Sequence, residues 1–255
     1  MRRLADPINL AALGFALSLL AAWQLLADAH LISPIFFPSP LRALTVLQQR
    51  LADGSLWLPL AATSLRMIVG WLLASVIGIV LGAAIGTSRF ARELLDPTLE
   101  FIRPLPASAV IPVAILFLGL SNKMSVTVIA FGAIWPVLLA SVHGFSSISP
   151  ELINVSQVLG FGRRDFLRKI AFPSALPDIV AGLRVSLAIA LILAVVTEMQ
   201  SSLPGLGWDI FSAQRVYRSA DIYAGLIMLA LLGFAANHLI QFLERRVLRW
   251  RNLRA

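Results

Sequence analysis

The sequence contains no cysteine, and this absence excludes several kinds of protein. Without a thiol, the chain cannot form a disulfide, use a thiolate nucleophile or bind a metal ion through cysteine. Histidine is almost as scarce, and the three histidines, His30, His143 and His238, share no spacing that suits metal ligands. We therefore expect no metal site in this chain.

Charge is also sparse. Only 13% of the 255 residues are charged and 58% are apolar, whereas about 25% of the residues in a soluble domain are charged. The composition therefore predicts a protein that lies in a lipid bilayer. The net charge of +8 alone would also allow nucleic-acid binding, so the positions of the basic residues have to decide between the two.

Six apolar segments approach the ~20 residues that cross a ~30 Å hydrocarbon core. They cover residues 8–27, 64–86, 107–120, 125–142, 179–198 and 222–243. Each should be helical, because lipid cannot hydrogen-bond to free backbone groups. We interpret residues 1–255 as a single all-α membrane domain.

Two of these segments leave alternatives open. The first follows Met1-Arg2-Arg3 and ends near Ala27-Asp28-Ala29, a pattern that a signal peptide also has, but its length favours a retained span. The third is short and contains Pro112, so a tilted or partly re-entrant segment is the alternative to a full crossing.

The basic residues concentrate on one side of this arrangement. With the N-terminus inside, the outer segments hold only Arg42, Arg50, Lys123, Arg215 and Arg218. Arg66 is ambiguous at a span end, and the remaining arginines and Lys169 fall inside. This positive-inside bias predicts that both termini are cytoplasmic. It also accounts for the net charge without a nucleic-acid surface, so we expect membrane lipid as a partner and no nucleic acid.

Small residues recur at intervals of four along two spans. Gly70, Gly78, Gly82 and Gly86 follow one face of the second span, and Gly182 begins a similar stripe on the fifth. Small side chains allow helices to approach closely. We interpret both stripes as packing faces within one subunit, with a subunit interface or a transport pathway as the alternative.

The outer segment "FFPSPLRALTVLQQRLADG" has the signals of a further helix. Ser39 can act as the N-cap, Pro40 suits the first helical position, and Asp53-Gly54 ends the run. We predict a structural helix on the outer membrane surface. Its apolar side is predicted to comprise Leu41, Leu44, Leu47 and Leu51.

An ion-coupled carrier would be expected to have ionisable groups inside its spans. The acidic residues of this chain fall in loops or near span ends, and Glu198 comes closest to an exception. No buried carboxylate is predicted. An ion-coupled secondary transporter therefore remains the alternative function.

The segment 149–178 is mixed and basic between apolar spans. Ser149 and Pro150 are typical of a helix start, and Gly160 is typical of a left-handed C′ residue. They predict a helix over 150–159, followed by a second helix from Arg163 to about Phe172 that Pro173 ends, and Pro177 marks the entry to the fifth span. Such a helix–turn–helix on the inner membrane face is either a solvated loop or a helix offered to a partner's groove.

The motif within "GFGRRDFLRKIAFP" is more specific. After Gly160 come nine residues, then Ile170, one residue and Phe172-Pro173. This spacing resembles the cytoplasmic signature of ABC-importer permeases, EAA-x3-G-x9-I-x-LP. From about Phe36 to Arg246 the chain resembles permeases of the nitrate/sulfonate/taurine/bicarbonate group. Further stretches that carry the likeness are "FFPSPLRAL", "ALPDIVAGLRVSLAIA" and "SSLPGLGWDIFS".

The resemblance implies a type I ABC-importer permease in the bacterial cytoplasmic (inner) membrane. It implies a second copy of the permease, two separate ABC ATPase subunits that hold ATP and Mg, and an extracytoplasmic solute-binding protein. The chain itself lacks a G-x-x-x-x-G-K-[ST] phosphate loop, so we expect no enzyme activity and no bound cofactor. The solute implied is a small anion such as nitrate, a sulfonate or taurine.

The resemblance also implies which residues dock on the ATPase. They are Glu151, Asn154, Val155, Ser156, Gly160, Phe161, Arg163 and Arg164. One departs from the family pattern, because Asn154 stands where the signature has glutamate. Glu151 lies nearly one helical turn earlier, and we hypothesise that it replaces the missing carboxylate.

Overall fold

The computed structural model describes residues 7–249, and for residues 7–10 and 13 it describes the backbone alone. The regular structure in this range is helical. The helices are α1 (Pro7–Asp28), α2 (Pro40–Ala52), α3 (Trp57–Gly86), α4 (Arg89–Ile102), α5 (Ile111–Leu118), α6 (Asn122–Ser146), α7 (Pro150–Val158), α8 (Arg163–Phe166), α9 (Phe172–Ser201), α10 (Leu206–Arg215) and α11 (Ser219–Val247). The N-terminal Met1-Arg2-Arg3 and the C-terminal Arg251 and Arg254, which contribute to the predicted orientation, lie outside the described residues.

Four stretches of the described chain are long and apolar enough to cross a membrane: α3, α6, Arg163–Ser201 and α11. Arg89–Ile102 and Ala107–Leu118 qualify only as a pair, with a bend of 79° between them. The apolar part of α1, Gly14–Asp28, is shorter. The all-helical membrane fold is confirmed, whereas six spans with both termini inside stay a prediction.

The predicted third span differs most from the structure. Residues 107–120 form a 3₁₀ turn, Ala107–Val110, and the short helix α5, which ends at Gly119 with φ +66°. Pro112 lies in the first turn of α5, where a missing amide donor costs nothing. The second predicted span also differs, since α3 begins at Trp57 rather than at residue 64.

Close contacts between α3 and α6 define the direction of both helices. A Cβ built on Gly78 would lie 3.1 Å from the side chain of Val137, and one on Gly86 would lie 2.7 Å from the Cβ of Phe145. Gly70 and Gly82 face Ile129 and Ser141 in the same way. Because the residue numbers of these contacts rise together along both helices, α3 and α6 are parallel. The segment that contains α4 and α5 must therefore return from one end of the bundle to the other.

Helix α9 packs against α6 in the antiparallel direction. A Cβ on Gly182 would lie 2.7 Å from the carbonyl oxygen of Pro136, and Ser186 Oγ donates to Ala133 O at 2.6 Å. Helix α6 continues through Pro136. The structure thus places both small-residue stripes against α6 of the same chain, and α3, α6 and α9 form the central layer.

Following the charge distribution, we call the end of the bundle that carries Arg163 and Arg164 inner and the opposite end outer. Helix α2 lies at the outer end, where the Ser39 hydroxyl accepts from Arg42 N at 3.3 Å. It buries Ala43 and Leu47, whereas Leu41 and Leu44 are exposed.

The predicted apolar side of α2 was therefore wrong in part. Leu47 packs in a cluster with Leu56, Leu206, Ala224 and Met228. This cluster includes residues of α10 and α11, so the side of α2 that faces them, with Ala43 and Leu47, is the buried one. Leu51 packs against the edge of this cluster, and only Leu41 and Leu44 are left on the side that lipid can cover.

Candidate docking site at the inner end and a buried ion pair at the outer end

Helix α7 has well-defined ends. Ser149 has the extended backbone of an N-cap, although its hydroxyl makes no capping bond, and Pro150 occupies the first turn. At the C-terminus Gly160 has φ +66°. Gly160 N donates to Gln157 O at 3.0 Å and Phe161 N donates to Ser156 O at 2.9 Å, which is the paired bonding of a Schellman motif. The glycine is required there because a left-handed backbone penalises a Cβ.

The side chains of α7 are almost all exposed. Glu151 and Asn154 both face solvent. Among its apolar residues, Leu152, Val155 and Val158 are exposed, and Val158 reaches 88%. These three side chains therefore keep apolar surface that no residue of the described chain covers. An apolar surface of this kind is typical of an interaction site rather than of a solvated loop.

Not every residue predicted to dock is accessible. Ser156 is buried, and its hydroxyl donates to Ile153 O at 2.6 Å within the same helix. Phe161 is half-buried, with Lys169 Nζ 4.8 Å from its ring centroid. Arg163 and Arg164 are exposed. The exposed members of the predicted set thus lie on α7, at Gly160 just after it and at the start of α8.

The second predicted helix does not end at Pro173. The run Arg163–Ser201 continues through α8, a π-helical turn at Leu167–Ala171 and α9. Pro173 lies in the first turn of α9 and Pro177 lies within that helix. The π turn explains the continuity, since Phe172 N donates to Leu167 O and the register shifts just before the proline. The segment is an extension of the fifth predicted span rather than a separate helix–turn–helix.

The extension is anchored to the inner end of α6. Ala171 packs in a cluster with Phe145, Ala175 and Ile179, and Phe166 and Leu167 pack against its edge. Ile170 is also buried. A short turn, Leu159–Gly162, joins α7 to this continuous helical run, Arg163–Ser201.

Glu151 is the carboxylate that precedes Asn154 on the same helix. A backbone hydrogen bond at Glu151 and one from the Ser149 hydroxyl hold the pKa of Glu151 below its ordinary value. Both hydrogen bonds favour the ionised form of the Glu151 side chain, which also lies at the positive end of the helix dipole. Glu151 thus offers an exposed negative charge three residues before Asn154.

Sequence reasoning missed a buried ion pair at the outer end, and the expectation that the chain has no buried carboxylate was wrong. Glu198 is fully buried, and Arg66 Nη1 donates to its Oε1 at 2.6 Å. Arg66 itself is only 6% exposed. The signal in the sequence was an arginine and a glutamate near the outer ends of two different spans.

Neighbouring groups satisfy this pair. Thr63 Oγ1 and Gly207 N each donate to Glu198 Oε2 at 2.9 Å. Arg66 also donates to Pro204 O at 2.8 Å and, from Nε, to Asn122 Oδ1 at 2.8 Å. A carboxylate that is paired and hydrogen-bonded in this way is a structural group rather than an open proton site.

The fold as a whole is similar to that of solved ABC transporters. The chain is similar to the methionine ABC transporter MetNI in inward facing conformations, with a TM-score of 0.64 and 18% identity over 73% of this chain and 93% of that one. An amino acid ABC transporter matches with a TM-score of 0.60 and 16% identity, over 74% and 92% of the two chains. These matches place the chain among proteins with the fold of ABC transporter membrane subunits.

Family membership is more specific. Residues 74–249 match the family described as "Binding-protein-dependent transport system inner membrane component", and the chain belongs to it. The putative aliphatic sulfonates transport permease SsuC of Bacillus subtilis is 31% identical, over 92% of this chain and 85% of that protein. The taurine transport system permease TauC of Escherichia coli is also 31% identical, over 91% and 86%. The nitrate import permease NrtB of Synechocystis is 30% identical, over 90% and 86%.

Proposed function

We propose that this chain is the permease subunit of an importer in which a separate ABC ATPase docks on α7 and drives alternating access. Two permease copies would enclose the solute path, and a binding protein would deliver the solute at the outer face. The observation that carries the proposal is the exposed helix α7, which a short turn joins to a helical run of membrane length, Arg163–Ser201.

The surface chemistry of α7 supports a protein partner. Leu152, Val155 and Val158 offer exposed apolar area, while Glu151 and Asn154 offer polar groups beside it. A short amphipathic helix of this kind fits a groove on a partner. Arg163 and Arg164 lie just beyond the glycine stop and extend the same surface.

The connection to α9 supports a mechanical role. Movement of α7 would pass through Phe161 and α8 into the π turn, and from there into α9, which packs on α6 through Gly182. Rigid helices that rock about such contacts are one established route between two states. The ATPase would supply the energy, and ATP and Mg would be bound there rather than by this chain.

The solute class follows from the relatives. Permeases named for aliphatic sulfonates, taurine and nitrate each share about a third of their residues with this chain. All three solutes carry a small oxyanion group, so we propose a small oxyanion or sulfonate as the cargo. Selection among such solutes would reside mainly in the binding protein.

The alternative, an ion-coupled secondary transporter, gains no specific support. Its best candidate for a coupling group would be Glu198, but this carboxylate is in direct contact with Arg66. His238 is exposed, and its Nδ1 lies 3.2 Å from Phe234 O of its own helix. An ion-coupled carrier would transport its solute without an ATPase, which the experiment below also addresses.

The docking assignment predicts that Asn154→Arg and Gly160→Pro uncouple transport and leave the protein in the membrane. Arginine would introduce a cation where the family signature has a carboxylate, so it would repel a partner surface that suits an anion. Proline cannot adopt the positive φ of Gly160. Co-purification with the ATPase should fall at least about tenfold, as a loss of ~1.4 kcal/mol would produce.

Gln49→Arg is the matched control, because it makes the same amide-to-arginine change at an exposed position of α2. It should leave co-purification and membrane abundance unchanged. Normal transport by both α7 variants would refute the docking assignment. In the same assay, if Glu151→Ala impairs transport and adding Asn154→Glu restores it, then Glu151 has taken over the role of the missing carboxylate.

A further inference from the structure

One carboxylate joins several elements at the outer end of the bundle. Glu198 of α9 accepts from Arg66 and Thr63 of α3, and from the backbone of Gly207 in α10. Thr63 Oγ1 in turn accepts from Leu206 N at 2.9 Å. All of these interactions except the one from Gly207 link residues more than a hundred positions apart in the chain.

The segment 202–207 lies directly on this carboxylate. Ser202, with φ +55°, ends α9 and turns the chain back. A Cβ built on Gly205 would collide with the carboxyl group of Glu198, and one on Gly207 would collide with Val195 O. Glycine is therefore needed at both positions for the backbone to approach this closely.

The same segment fills the outer core. Leu206 is fully buried and packs against Leu56 and Met228. It is also the first residue of α10. Helix α10 extends from this anchor to Asp209, whose Oδ2 lies 2.6 Å from Arg50 Nη2 of α2. The orientation of α10 thus depends on how residues 202–207 are held.

We propose that Arg66 and Glu198 are positioning residues that form a permanent outer clasp, which keeps segment 202–207 and α10 fixed on α3 and α9 in every state of the transport cycle. Lifting the segment would remove Gly207 N from Glu198 and Pro204 O from Arg66, so each of the two buried charged groups would lose a hydrogen-bond partner. A loss of this kind opposes movement at this site. Conformational change at the outer face would then occur around the clasp and leave it closed.

The clasp also defines a preformed outer surface. Arg50, Asp209, Arg218 and Asp221 line a cleft of about 520 Å³ beside α10. A rigid α10 would present these charges in one arrangement throughout the cycle. The part of the proposal that concerns the cycle rests on the proposed function, whereas the clasp itself can be tested in the resting protein.

The absence of native cysteine makes the test direct. Leu206→Cys would report on the clasp, exposed Gln214→Cys would serve as the reference, and buried Ser186→Cys would report on the distant core. Each would be labelled with a membrane-impermeant maleimide in right-side-out vesicles. Each cysteine would be placed in the otherwise native chain and in chains that also carry Glu198→Gln or Gly205→Ala. Gly14→Ala would serve as the control substitution, because no atom lies within 4 Å of its added Cβ.

We expect Leu206→Cys to be protected in the native and Gly14→Ala backgrounds and to react at least about tenfold faster in Glu198→Gln and Gly205→Ala, as local opening would produce. Ser186→Cys should stay protected in all of them, which separates release of the clasp from general unfolding. Unchanged protection of Leu206→Cys in both variants would overturn the clasp.

A second arm loads the vesicles, containing the assembled transporter, with Mg·ATP or with ADP. We expect Leu206→Cys in the otherwise native chain to be equally protected from the maleimide under both conditions. If the cysteine reacts under only one condition, the segment moves during the cycle and the permanent clasp is wrong. If ATP drives no transport at all, the proposed function fails, but the comparison of variants still tests the clasp.

Discussion

At the scale of single residues, glycine determines how closely α3 and α6 approach. A Cβ on Gly82 would meet the Cβ of Ser141 and lie 3.0 Å from the backbone oxygen of Leu138. Backbone cannot move aside as a flexible side chain can. The close approach of the two helices therefore depends on this position remaining without a side chain.

Gly82→Val should accordingly destabilise the protein by about 1–3 kcal/mol, as overpacking does. In detergent this corresponds to a fall in Tm of roughly 2–12 °C. Gly14→Val is the control, since an added Cβ there meets nothing within 4 Å. Equal changes in Tm for both variants would show that the close contact between α3 and α6 does not determine the stability of the protein.

Local chemistry explains which residues could be assigned from the sequence. The caps at Ser39 and Ser149 and the left-handed Gly160 depend on neighbours within a few positions, and all three have the expected backbone. Arg66 and Glu198 are separated by 132 positions. Their contact depends on how α3 and α9 pack, and no local pattern in the chain contains that information.

At the scale of elements, the π turn at Leu167–Ala171 lies between α7 and α9, so it contributes to how the two helices are oriented. A π turn contains one residue more than the same stretch of α-helix, and such turns often occur at functional sites. The sequence suggested a break at Pro173 because proline usually ends a helix. The extra residue instead allows the helix to continue into the membrane.

Inserting one alanine after Arg168 should exceed the single extra residue that the π turn accommodates. The part of the chain before the insertion would then rotate by about 100° relative to α9, so α7 would face away from its partner. We expect transport to be lost while the protein remains in the membrane. Arg168→Ala keeps the register and should transport normally. An insertion variant as active as the alanine variant would show that the orientation of α7 is not set here.

At the scale of the whole molecule, hydropathy located the long helices but could not decide how residues 89–118 cross. That decision comes from contacts, because the parallel packing of α3 and α6 requires the intervening chain to return to the outer end. Asn122 is held there by Arg66. The bent pair α4–α5 therefore connects opposite ends of the bundle, although neither helix is long enough alone.

Sidedness is the remaining whole-molecule property, and the absence of native cysteine allows it to be measured by single-cysteine labelling. The charge bias predicts that the exposed residue Gln214 is outside and that Gln157, exposed on α7, is inside. Gln214→Cys should react with an impermeant maleimide in intact cells, whereas Gln157→Cys should react only after permeabilisation. The cysteine-free chain supplies the background. The opposite pattern would invert the topology and place α7 where no cytoplasmic ATPase could reach it, so this one measurement tests both the orientation and the proposed coupling.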